Sequence, residues 1–367
     1  MKYFPLNDRL SKVDITKAAF TPETITSVNF NFKENSGSIS QEDSGLLEKT
    51  RALGEEILRA RKNGSQVICA FGAHAIKNGL GALLGEMLEK GWFTHLASNG
   101  AAVIHDWEFA WLGKSSEDVR ENVAAGRFGT WEETGLYINL ALASGAWQGL
   151  GYASSVGEMI LNDGIYIPER DELLGAVRAA SEKASTAFDL YELIESERIP
   201  SGFLSVPHRF AQYSLLAAAR KSEKPFTCHP MFGHDIIYTH RANRGSVIGR
   251  TAERDFLEFV AGVESLEGGV YLSIGSAVMS PMIFEKALSM ARNAAGREDA
   301  IRNCGIYVVD LQESSWDWTK GEPPMNNPAY YQRFMKTFNR MGCKINYITA
   351  DNRDFFISLY KVLAGSS

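Results

Sequence analysis

Excess charge of one sign, paired cysteines and membrane-length apolar runs are all missing from this sequence, and each absence removes a class of function. Its 38 Lys and Arg stand against 44 Asp and Glu, a formal charge of -6, so the basic face that nucleic-acid binding needs is not supplied. The longest apolar runs, such as GVYLSIGSAVM at 269–279, fall well short of the ~20 residues that span a bilayer. The opening MKYFPLNDRLSKVD has no apolar signal stretch, and the expected compartment is the cytoplasm. Cys69, Cys228, Cys304 and Cys343 form no CxxC pair. Two fall within predicted strands and two just before one, so they read as small buried hydrophobes of a reducing compartment, not as zinc ligands or a disulfide frame.

What is present is an alternation. Apolar, β-branched runs lie at 65–71, 93–98, 225–230, 269–275, 305–311 and 344–350, and each ends in a polar or glycine-rich turn. Helical periodicity follows at about 75–90, 105–113, 116–125, 131–145, 251–265, 281–295, 328–341 and 352–364. Repeated βα units predict an α/β fold: a doubly wound, mostly parallel, Rossmann-like sheet of six strands with helices on both faces. The stretch from about 105 to 221 reads as a helical insertion after the second strand. Residues 1–45 read as an extended N-terminal arm of the kind that touches a neighbouring subunit, and residues 46–367 as a single domain. No internal repeat is found.

Open α/β sheets bind ligands outside the carboxyl ends of their strands, so the turns are where chemistry is expected. The first, FGAHAIKNGL, offers Gly72, His74, Lys77 and Asn78 at a helix start, where backbone N–H groups favour an anion. It is neither GxGxxG nor a Walker loop. The second, LASNGAAVIHDWE, breaks at Asn99, Gly100 and Ala101. Asn and Gly there tolerate left-handed backbone and the alanines leave room for a flat ligand. His105, Asp106 and Glu108 follow where a helix should begin, a place that stabilises acids even without a function. Glu132 and Glu133 in GTWEETG read as capping acids. The third turn, HPMFGHDIIYTH, carries His229, His234, Asp235 and His240. No two of these histidines have the i, i+4 spacing of a metalloprotease motif, and Asp235 is better suited to an organic ligand than to a metal. The loop after the fifth strand, DLQESSWDWTKGEPPMNNP, is too long and aromatic for a plain connection.

Taken together these turns resemble the deoxyhypusine synthase family, from about residue 64 to the C-terminus. SNGAAVIHD is similar to its TAGG-plus-acid turn, GHDIIYTH to its GDM-FFHS segment, IYVVDLQE to its YINTAQE strand end, and YITADN to its YADAS turn. The resemblance implies NAD as cofactor, held by Gly72, Asn78, Asn99, Gly100, Ala101, Asp106, Asp310, Ala350 and Asp351. It also implies a homotetramer, and an active-site acid at Asp235. The family oxidises spermidine and carries its aminobutyl group as a lysine imine. Counted along PAYYQRFMK, Lys336 falls on that lysine and Phe334 on the tryptophan before it; Trp318 and Lys320 in WTK are a second match. Burial lowers such a lysine's pKa so that it attacks as a neutral amine. Two features depart from the family. Tyr330 stands at the position of an amine-gripping acid, and the turn after the fourth strand, IGSAVMSPM, offers Ser276 and Ser280 in place of a substrate-facing histidine.

The expected activity is NAD-dependent oxidation of an amine such as spermidine with aminoalkyl transfer. Lys336 is the expected nucleophile, Asp235 places the amine, and His234 or His105 moves protons. The alternatives are an NAD enzyme of the same fold that recognises another metabolite through His74, Lys77 and the histidine cluster, or a dinucleotide-binding module without catalysis.

Overall fold

The computed structural model describes residues 1–9, 13–27, 41–296 and 300–366, so most of NFNFKENSGSISQ in the expected arm lies outside the described residues. All six expected strands form: β1 (Val67–Phe71), β2 (His95–Ser98), β3 (Phe226–Cys228), β4 (Val270–Ile274), β5 (Gly305–Asp310) and β6 (Lys344–Thr349). They make the six-stranded sheet of a Rossmann-like α/β fold. The chain divides into two compact units, one of residues 1–19, 76–85 and 99–257, the other of residues 20–75, 86–98 and 258–367. Among the described residues no helix is long and apolar enough to cross a membrane.

The second unit carries five of the strands, hydrogen-bonded in the order β6-β5-β4-β1-β2 and parallel throughout. VICAF and VYLSI are buried at every position, which is why these segments read as continuous apolar runs. The chain steps from β1 out to β2 and later returns on the other side of β1 to β4, so strand order reverses between β1 and β4. Helices Gln41–Lys62, Met279–Ala295 and Asn352–Gly365 also belong to this unit. Tyr271 of β4 stacks on Phe284 with ring centres 3.8 Å apart, and Phe338 meets both.

One expectation is overturned here: Cys304 and Cys343 are joined in a disulfide, with Cα atoms 5.4 Å apart. The register pairs Lys344 with Gly305, so the residues immediately before β5 and β6 face each other. Their separation of 39 residues hides that pairing from any short-range motif. Cys69 and Cys228 are buried free thiols, as expected.

The first unit is helical, with two small antiparallel pairs that the sequence reading did not anticipate, Val13–Asp14 with Lys114–Ser115 and Gly164–Ile167 with Gly202–Ser205. Its N-terminal residues are woven into it. Phe4 exchanges backbone hydrogen bonds with Thr130 and Glu132, both 2.9 Å, while Leu6, Arg9 and Ile15 are buried. The helical run expected at 75–90 is broken into His74–Lys77 and Gly81–Glu89. Gly79 lies between them at φ +86°, and a Cβ there would sit 2.2 Å from the carbonyl oxygen of Ala18.

Candidate active site

At the strand ends of the second unit, the reversal point is built from backbone. The Gly72 amide donates to the Ile274 carbonyl at 3.0 Å, and a Cβ on Gly72 would lie 2.2 Å from the Gly275 carbonyl oxygen. Gly275 takes φ +56°. Two side-chain-free residues thus pack backbone to backbone where an open sheet receives its ligand; the Gly275 carbonyl excludes a side chain at 72, while the space a Cβ on Gly275 would take is open. Asp310 ends β5, and the Ala350 amide donates to its carbonyl at 3.1 Å. Asp351 caps helix Asn352–Gly365 by accepting from the Arg353 amide at 2.9 Å. Of the residues expected at a dinucleotide, Gly72, Asp310, Ala350 and Asp351 stand in this unit, and Asn78, Asn99, Gly100, Ala101 and Asp106 in the other.

In the first unit, helix α1 (Gly100–Leu112) starts five residues earlier than the periodicity suggests. Asn99 is its N-cap, extended at φ -95° rather than left-handed, and its Oδ1 accepts from the Ala102 amide at 3.1 Å. Gly100 is required for a different reason from backbone freedom. A Cβ there would stand 2.2 Å from Oδ2 of Asp235, so the missing side chain is what admits that carboxylate to the first turn of α1.

Asp235 is 7% exposed, and among the described residues its Oδ2 meets no hydrogen-bond donor. Burial pushes its pKa up to about 6, against the opposing pull of the neighbouring Tyr238 hydroxyl and His234. It lines a cavity of about 210 Å³ together with Lys77, Ala101, His105 and His234. Ile104, Val119, Phe128 and Ile236 supply an apolar wall, and Arg9, Ser116 and Glu117 complete the lining. Lys77, like Asp235, has no ion-pair partner among the described residues.

Behind His105 runs a buried polar chain. Its Nδ1 is 2.6 Å from the Ser115 hydroxyl, which donates to Oε2 of Glu108 at 2.6 Å. Glu108 also accepts from Thr134 at 3.1 Å and is ion-paired with Arg9. Arg9 in turn lies 3.5 Å from Glu117, which accepts from Asn122 Nδ2 at 2.8 Å and Trp131 Nε1 at 2.9 Å. Two buried carboxylates around one guanidinium are tolerable because nearly every oxygen has a donor. Glu108 was read from sequence only as an acid at a helix start, and Ser115, Arg9 and Glu117 went unrecognised. The available signal was the three-residue spacing of His105 and Glu108, which shares a helix face once α1 begins at Gly100.

Asp106, expected at the cofactor, is instead spent on structure. It accepts from the Ser214 hydroxyl and from the amides of Leu215 and Leu216 at 2.9 and 3.1 Å, satisfying the start of helix Leu215–Lys221. Burial still raises its pKa to about 6 against those three donors. Lys336 lies in the second unit on the short helix Arg333–Asn339, its Nζ 3.4 Å from Glu322 and 3.7 Å from the Tyr330 ring centre. Phe334 is half-buried on the same helix. Trp318 is buried and bonds Ser314 at 3.2 Å, while Lys320 is exposed with Asp317 at 3.6 Å. The histidines between 208 and 240 disperse. His208 packs against Trp107 and Asp163, His229 bonds Thr227 at 3.0 Å, and His240 lies over Tyr3. Only His234 of the four lines the cavity. Among the described residues no group of three or more His, Cys, Asp or Glu is placed to hold a metal ion.

No protein-family model matches the chain, and no curated protein matches it. Among solved structures it is similar to a conserved candidate LOR/SDH protein from Methanococcus maripaludis S2, at 14% identity and a TM-score of 0.46 over 90% of this chain and 72% of that one. It is similar to AgrE, solved as a ternary complex with ornithine and NAD+, at 13% identity and 0.43 over 88% of this chain; it spans only 33% of AgrE. A candidate deoxyhypusine synthase from Entamoeba histolytica matches at 9% identity and 0.42 over 100% and 97%. At these distances none of the likenesses assigns the chain an activity.

Proposed function

We propose that this chain is an NAD-dependent enzyme that oxidises an amine, with its substrate held in the cavity around Asp235. The observation that carries the reading is the meeting of Lys77, His105, His234 and Asp235, from three separate turns, on one cavity. Asp235 is a buried carboxyl group whose Oδ2 meets no donor among the described residues. An ammonium group placed there offsets the cost of burying the charge. His105, held at Nδ1 by Ser115 and through it by Glu108, is fixed in orientation and suited to exchange a proton with the substrate. The open space beside Gly275 would admit a dinucleotide's close approach, and Asp310, Ala350 and Asp351 stand on strand ends of the same unit. NAD bound there would supply the hydride acceptor.

A second reading continues to aminoalkyl transfer through an imine on Lys336, as the deoxyhypusine synthase resemblance implies. The low exposure of that side chain, 15%, favours it, since an imine-forming lysine is kept from bulk water. Homotetramer assembly belongs to the same reading. The purified chain is incubated with NAD and a panel of amines including spermidine, reduced nicotinamide is followed by absorbance, and adducts are trapped with borohydride and mapped. Reduced nicotinamide without a lysine adduct supports oxidation alone. An adduct on Lys336 supports transfer, and no reduced nicotinamide with any amine overturns both.

A further inference from the structure

Resting on the reading that Asp235 holds an amine, we infer that the ligand of this cavity is a zwitterion, an α-amino acid with an aliphatic side chain, gripped at its ammonium by Asp235 and at its carboxylate by Lys77. Three features of the lining carry this. The first is the sign and number of the charges left over. Arg9 and Glu117, the other charged groups of the wall, are committed to each other, to Glu108, Asn122 and Trp131. Among the Asp, Glu, Lys and Arg side chains of this lining, Asp235 and Lys77 are the two without an ion-pair partner among the described residues. They line one cavity of about 210 Å³ without approaching each other to ion-pair distance, which leaves one anion and one cation on the same lining. A ligand bearing a single positive charge satisfies half of that arrangement. A ligand with both charges satisfies it all, and each charge-assisted bond is stronger than a neutral one.

The second is the limit on positive charge. A polyamine requires a carboxylate at each end to offset desolvation of its ammonium groups, and this cavity has one carboxylate to give. The third is the apolar wall of Ile104, Val119, Phe128 and Ile236. Val119 and Phe128 are exposed hydrophobics, at 54% and 39%, so a branched aliphatic side chain laid against them removes apolar surface from water on both partners.

The test is calorimetric titration of the full chain, without NAD, with three probes: L-leucine, 3-methylbutylamine, which lacks the carboxylate, and 4-methylpentanoate, which lacks the amine. Leucine is expected to bind at least about tenfold more tightly than either fragment, as one charge-assisted contact removed costs about a factor of ten or more. Lys77→Met should bring leucine down to the level of the amine, with amine affinity no weaker than in the wild type. Asp235→Asn should bring it down to the level of the acid. Lys77 is half-buried on a short helical turn, and a Lys77→Met melt that matches the wild type makes that arm stand even if the Asp235 variant misfolds. Equal affinity for leucine and the amine, or leucine affinity indifferent to Lys77→Met, overturns the zwitterion while leaving an amine site in place. Failure of all three probes to bind overturns it as well, and production of reduced nicotinamide from other amines would then show that the amine-oxidising reading survives alone.

Discussion

Replacing Asp235 by Asn should make the protein more stable relative to wild type as pH rises, while removing its grip on amines. The folded-state pKa is raised to about 6 by burial, against about 3.9 in an unfolded chain. A raised carboxyl pKa means that the folded protein keeps a proton that the unfolded chain has already released. Stability is therefore lost as pH climbs from about 4 to about 6, and the loss is complete above that. A shift of about two units corresponds to about 3 kcal/mol, and Asp235 is 7% exposed, so little solvent screening reduces it. The isosteric amide has no charge to desolvate, and its own burial cost is the same at every pH. Asp106, also raised to about 6, is present in both proteins and cancels in the comparison. Denaturant unfolding of both proteins at pH 4 and pH 8 should give a stability difference that moves by up to about 3 kcal/mol toward the variant. A difference that is flat with pH would refute the claim that Asp235 is buried with an uncompensated charge.

Gly100→Ala places a methyl 2.2 Å from Oδ2 of Asp235; it should cost about 1–3 kcal/mol by overpacking and weaken amine binding, both read from thermal melts with and without ligand. Ser115→Ala leaves His105 without its hydroxyl and Glu108 one donor short, for a loss of about 1–3 kcal/mol and a displaced pH–rate profile of reduced-nicotinamide production. An unshifted profile would exclude the relay. Cys304→Ser with Cys343→Ser opens a 39-residue loop and should lower stability by up to about 4 kcal/mol, visible as an equal drop when the wild type is melted under reducing conditions.

The six strands were legible because buried parallel strands write themselves as short apolar runs, and VICAF and VYLSI are buried at every residue. Helix boundaries were less so. Gly100 reads as a turn residue on propensity, but the helix accepts it because Asp235 needs the space, a tertiary demand invisible locally. The Cys304–Cys343 bond depended on strand register, and the relay behind His105 on the return of Arg9 from ninety-nine positions away. Asp106 shows the converse: an acid at a promising turn whose three donors come from residues 214 to 216. Local patterns reveal the scaffold. Which polar groups are left over after packing, as Lys77 and Asp235 are, emerges only once long-range partners are assigned.

The dependence of Arg9 on Glu108 and Glu117 also has a temporal side. At roughly 5–20 residues per second of synthesis, Arg9 is added to the chain about 5–20 s before its first carboxylate is made. The second unit waits longer still, because β4, β5 and β6 all come after residue 257. Nascent chains of this protein must therefore carry β1 and β2 without their neighbour β4 until residue 270 is made, and a ribosome stalled before residue 258 would hold half of a sheet.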